Sequence, residues 1–175
     1  MMETARQRRA QQVEAKYAAD LRRLRQAKED ELQELDERFK VLKNAYNMER
    51  IGVKEDYSLR RLNLKTQIEH QRDQRARLRH ALSVDADTSG MGDLGDITMK
   101  INNLQVELIG LERKQAIALH DAEAKFANRC KEIAEERRAI NKHYINEAER
   151  LHEAYLQHVE QNRQERESEE GGEGA

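Results

Sequence analysis

The densest run of ligand-type side chains in the sequence is Asp85, Asp87, Ser89, Asp93 and Asp96, five oxygen-bearing residues within twelve positions, with Gly90 among them. Carboxylate and hydroxyl oxygens are the donors that hard cations such as calcium and magnesium take. A second set, Arg60, Arg61, Lys65, Arg72, Arg75, Arg77 and Arg79, gathers positive charge against only Glu69 and Asp73, and its chemistry would be phosphate binding. The six histidines, His70, His80, His120, His143, His152 and His158, are scattered. His152-Glu153 is followed by His158 and not by a histidine four positions after the first, so the paired-histidine zinc helix of metalloproteases is missing. Cys130 is the only cysteine, which excludes an intramolecular disulfide and a cysteine-based zinc cluster within this chain. With no phosphate-cradling glycine loop and no strand to position a nucleophile, catalysis is not expected.

Asp85, Asp87, Ser89, Gly90, Asp93 and Asp96 occupy the first, third, fifth, sixth, ninth and twelfth places of a twelve-residue stretch expected between two helices. Over residues 85–96, and nowhere else, the chain resembles an EF-hand calcium loop. The resemblance implies Asp85, Asp87, Ser89 and Asp96 as direct side-chain ligands, the carbonyl of Met91 as a further one, and Asp93 acting through water. It departs from the family at Asp96, where a longer glutamate is usual; the shorter side chain favours a smaller ion such as magnesium. It departs again at Gly92, where these loops carry a branched apolar residue that pairs with a second loop, and this chain has no second loop. The competing reading is an exposed helix-to-helix turn, with Asp96 capping the second helix and glycines ending the first. Calcium or magnesium is the only cofactor suggested.

The elements that must carry these residues are helical. The chain has 175 residues, 38% of them charged and 4% aromatic, with no proline and no tryptophan. Its 37% hydrophobic fraction leans on alanine, so a narrow seam between helices is expected in place of a thick core. From Thr4 to Ser83 good helix formers dominate, and Leu32, Leu35, Phe39, Leu42, Tyr46, Val53 and Tyr57 step by threes and fours, with Leu64, Ile68, Leu78 and Leu82 continuing the stripe. The glycine-rich run 84–96 predicts a break. Beyond it Ile97, Ile101, Leu104, Leu108, Leu111, Ala122, Phe126, Ile133, Ile140, Tyr144, Leu151 and Tyr155 restart the same spacing. The reading is therefore all-α: a first long helix at 1–83, an Asp/Gly-rich connector at 84–96, a second long helix at 97–166 and a disordered acidic tail at 167–175. The helices would be roughly 120 and 105 Å long, near enough in length for a long antiparallel two-helix coiled-coil hairpin folded about Gly90. That fold sets Leu82 by Ile97, Tyr57 by Ala122, Phe39 by Ile140 and Leu24 by Tyr155. A single parallel dimer is the rival arrangement.

A two-helix hairpin needs one apolar stripe per helix, yet Met48, Ile51, Leu59 and Leu62 lie opposite the first stripe, and Val106, Ile109 and Ile117 lie off the second. A surplus of this kind on both helices predicts association, into a larger bundle or with another protein, in preference to a stutter in the heptad. Gly52 and Gly110 are either weak points or close-packing sites. The N-terminal Arg6, Arg8 and Arg9 are expected to meet the acidic tail of the same hairpin. Basic and acidic residues nearly cancel, 32 against 34, so bulk attraction to nucleic acid is not expected, and no aromatic lies between Tyr57 and Phe126 for base stacking. No run of eighteen apolar residues predicts membrane insertion, and the lone thiol suits the reducing cytoplasm.

The function these residues predict is that of a non-enzymatic coiled-coil scaffold or assembly subunit, acting on a protein partner or on itself as a homo-oligomer. Two alternatives come from other classes: a calcium- or magnesium-responsive helical module using residues 85–96, and a hairpin that binds nucleic acid through the basic 60–79 segment. In outline alone, such a hairpin is similar to the rod-like stalk proteins of bacterial export machines.

Overall fold

The computed structural model describes residues 2–84 and 90–172. Two helices account for nearly all of them: α1, Met2–Val84, and α2, Met91–Gly172. The pair packs as an all-α antiparallel hairpin. Along α1 nothing in the sequence interrupts the backbone ladder, since it holds no proline and one glycine. Short-range ion pairs such as Asp56–Arg60 (3.1 Å) and Glu147–Arg150 (2.8 Å) lie along the exposed faces, each a small contribution at the surface.

The contacts divide the chain into two units, one formed by Met1–Val41 with Cys130–Ala175, the other by Leu42–Arg129. In the first, Leu35 is 2% exposed and the rings of Tyr17 and Tyr155 stack with centroids 4.5 Å apart. The Tyr144 hydroxyl donates to Glu31 at 2.7 Å. Arg38 pairs with Glu136, Asp36 with Arg137 and Arg6 with Glu169. In the second unit Ile68, Ile101 and Ala122 are buried, Tyr46 stacks on Phe126 at 4.4 Å, and Arg61 donates to Gln115 at 2.7 Å. All the residues that the three-and-four spacing assigns to the seam are buried or half-buried. The seam is thin because it is made by one stripe from each helix.

Two boundaries of α2 differ from those the sequence predicts. Helix α2 begins at Met91, six residues before Ile97, so Gly92, Asp93, Gly95 and Asp96 are helical and not part of a connector. Asp93 in the first turn favours this start by facing the positive end of the helix dipole, and the half-buried Leu94 adds a residue to the seam; together they outweigh glycine's low helix propensity. At the other end α2 runs to Gly172, through residues expected to be disordered, carried by pairs such as Arg163 with Glu160 and Glu167 and by Arg6 reaching across to Glu169. The pairing register also shifts. Arg38–Glu136, Glu31–Tyr144, Tyr46–Phe126 and Arg61–Gln115 are symmetric in numbering about position 87, plus or minus one, and not about Gly90. An earlier start to α2 moves every partner by a few positions, so Phe126 lies on Tyr46 and the pairing of Tyr57 with Ala122 is replaced.

Gly90 has a packing role. A Cβ built there would sit 3.2 Å from Cδ2 of Leu82 and 3.3 Å from Cδ1 of Leu78, tighter than ordinary van der Waals contact. No described glycine has positive φ, so Gly90 serves closeness and not a left-handed turn.

Candidate association surface

Within the unit Leu42–Arg129, each helix turns one face to the seam and leaves the opposite one to solvent. Taking 100° per residue, Met48, Ile51, Leu59 and Leu62 all lie within about 40° of Glu55 around α1, while Tyr46, Val53, Tyr57 and Leu64 lie about 180° away. On α2, Val106, Ile109 and Ile117 lie within about 40° of Arg113, and Leu104, Leu108, Leu111 and Ala122 are on the far side. The exposures agree with the angles. The seven outward apolar residues are between 49% (Ile51) and 69% (Met48, Leu59) exposed. Met99, 64% exposed, extends the α2 face toward the start of that helix.

All seven residues that the surplus apolar positions single out are thus exposed and fall on two outward faces, one per helix. Glu55 and Arg113, which hydropathy alone passes over, stand in the middle of these faces and are themselves exposed. Around Glu55, from Asn44 to Thr66, no other charged residue lies within about 60° of it on α1. The same holds around Arg113 from Asn102 to Ala124, with His120 the only other titratable group. In a chain where more than a third of the residues are charged, two faces with one charge each mark surfaces from which charge has been kept away. The signal is available in the sequence as a local resemblance: Met48-Glu49-Arg50-Ile51-Gly52-Val53 and Val106-Glu107-Leu108-Ile109-Gly110-Leu111 are both apolar at their first, fourth and sixth places and share a Glu and an Ile-Gly pair, with Leu108 standing where the first has Arg50. A Cβ on Gly52 or Gly110 would meet nothing within 4 Å, so neither glycine packs closely inside the hairpin.

Of the five candidate cation ligands, two fall among the described residues. Asp85, Asp87 and Ser89 lie outside the described residues, and Asp93 and Asp96 are exposed on the first turns of α2. Among the described residues, no three of His, Cys, Asp and Glu come together in a way that could hold a metal ion.

The basic set is divided by function within the hairpin. Arg61 is half-buried on Gln115, and Arg60 is held by Asp56 and lies over the Tyr57 ring, 5.6 Å from its centroid. Arg75 is half-buried, while Lys65, Arg72, Arg77 and Arg79 are exposed. Arg61 therefore reaches across the hairpin to α2, whereas Arg60 is engaged by neighbours on its own helix. The six histidines are all exposed; His152 lies 3.2 Å from the Tyr17 hydroxyl, and His143 packs edge-on against Tyr144. Cys130 is a half-buried free thiol. Among the described residues, no helix is long and apolar enough to cross a membrane.

Compared with protein-family models, curated proteins and solved structures, the chain gives no match.

Proposed function

We propose that this protein is a non-enzymatic coiled-coil assembly subunit of the cytoplasm, which works by binding other protein surfaces and associates with itself. The observation that carries this reading is the outward apolar surface of Met48, Ile51, Leu59, Leu62, Val106, Ile109 and Ile117. These side chains are about as exposed as the polar residues around them, although the hairpin's own seam is filled without them. Contiguous apolar surface on a helix that needs none for its own packing is what association buries. The binding step is removal of that surface from water, with surrounding charges setting register and excluding wrong partners.

The test is Leu59→Lys with Leu62→Lys. Both side chains point away from the seam, so helicity by circular dichroism is expected to be unchanged, while the associated mass seen by light scattering falls to that of a single chain. A mass equal to the wild type's, with helicity intact, removes these residues from the contact.

A further inference from the structure

The two outward faces have the same layout and opposite charge. On α1 the order is Met48, Ile51, Gly52, Glu55, Leu59; on α2 it is Val106, Ile109, Gly110, Arg113, Ile117, with identical intervals throughout. Each face has a single charged residue at its centre, acidic on one helix and basic on the other, flanked by apolar groups that are about half or more exposed. We infer that the α1 face of one copy docks on the α2 face of a second copy, with Glu55 of one paired to Arg113 of the next.

This rests on the assembly reading above and names its partner and its pairing rule. Docked antiparallel, so that neighbouring helix dipoles oppose, Glu55 opposite Arg113 brings Ile51 to Ile117, Leu59 to Ile109 and Leu62 to Val106. Apolar groups meet apolar groups at these three steps, Met48 falls opposite His120, and the one charge on each side meets its complement. Like faces fare worse. Two α1 faces packed about a two-fold axis would set Glu55 against Glu55, and two α2 faces would set Arg113 against Arg113, like charges in a contact that excludes water.

The glycines supply an independent reason. An interior glycine costs a helix about 1 kcal/mol relative to alanine, and a Cβ at Gly52 or Gly110 would meet nothing within 4 Å in the hairpin itself. Both stand one position after the isoleucine of their face, where a missing side chain lets a second helix come close.

Because the faces point away from each other across the hairpin unit, a copy docked on α1 leaves its own α1 face free for the next. The contact is heterologous and does not close on a pair, so growth side by side is the consequence.

The test compares four full-length proteins by sedimentation and light scattering over a range of concentrations: wild type, Glu55→Arg, Arg113→Glu, and the double reversal. Both residues are exposed, so circular dichroism serves to confirm that every variant is folded. Wild-type mass is expected to rise with concentration beyond a dimer. Each single reversal should raise the concentration needed for association by at least about tenfold. The double reversal should restore association, and so should an equimolar mixture of the two single variants, in which the reversed α1 face of one protein meets the reversed α2 face of the other. If Arg113→Glu associates like the wild type, or if the mixture and the double reversal both fail to recover, this docking is wrong while the assembly reading survives. If the wild type stays a single chain at every concentration, both fall.

Discussion

Arg38 grips Glu136 through both arms of its guanidinium, Nη1 donating to Oε2 at 2.7 Å and Nη2 to Oε1 at 3.2 Å, across 98 positions of sequence. Beside it Asp36 accepts from Arg137, so two adjacent cross-helix pairs have opposite polarity. A shift of α2 along α1 would bring like charges together, and this part of the seam therefore specifies its own register. The fork holds the Glu136 carboxyl below its ordinary value of 4.5, chiefly through the hydrogen bond from Arg38, and raises Arg38 in turn. A depressed carboxyl contributes stability above its unfolded pKa, and this contribution is lost as pH falls through the folded one. Glu136→Gln should lower the urea midpoint at neutral pH by a small amount, as befits an exposed pair, and match the wild type at a pH acid enough to protonate the folded carboxyl. Equal midpoints at both pH values would mean that the fork contributes nothing.

Seam and outward face should separate cleanly in stability. Leu35, 2% exposed, is enclosed between the helices, and Leu35→Ala is expected to cost about 2–5 kcal/mol through lost burial and the cavity left behind. Leu59, 69% exposed, should change the stability of the single hairpin by no more than about 0.5 kcal/mol when replaced by alanine. Chemical denaturation at concentrations too low for association measures both. Equal costs would show that the outward leucine belongs to the core after all.

The glycines divide in the same way. Gly90→Val would press two methyls into Leu78 and Leu82, where even one Cβ has 3.2–3.3 Å of room, and should destabilise by about 1–3 kcal/mol. Gly110→Ala meets nothing and should stabilise the dilute hairpin by about 1 kcal/mol. Thermal melts give both signs, and a stabilising Gly90→Val would refute the close approach.

The hairpin and its seam were legible in the sequence because both rest on periodicity. Leu35, Ile68, Ile101, Ala122 and Tyr144, the buried residues, all fall on the three-and-four spacing. The seven outward apolar residues were legible for the same reason, being out of phase with that stripe. Register was not, because it depends on where α2 starts. Gly92 and Gly95 read locally as a turn, whereas Asp93 at a helix N-terminus and Leu94 on the seam favour helix, and only packing decides between them. Residues 167–172 continue α2 for a similar reason: Glu169 alone looks solvated, but Arg6 meets it across the hairpin. Glu55 and Arg113 were hidden by abundance, since no single charge stands out in a chain with 32 basic and 34 acidic residues; their position shows only when the faces are drawn.

The contact between Tyr144 and Glu31 gives a spectroscopic test of the packing. Tyr144 is 7% exposed and its hydroxyl donates to the Glu31 carboxylate at 2.7 Å. That hydrogen bond first, then burial and the neighbouring negative charge, raise the phenol above its ordinary value of 10.0. A raised phenol contributes stability that is fully present below the unfolded pKa and is lost as pH climbs through the folded one, because only the protonated hydroxyl can donate to Glu31. Ultraviolet titration of the folded protein should therefore show a phenolate appearing late among its five tyrosines. Tyr144→Phe should remove that late step and leave the earlier ones in place, with some loss of stability at neutral pH. Glu31→Gln, which keeps an acceptor and removes the charge, should move the step toward lower pH without abolishing it. If Tyr144→Phe deletes an early phenolate and the late one persists, another tyrosine holds the perturbed hydroxyl and the packing around Glu31 differs from that described.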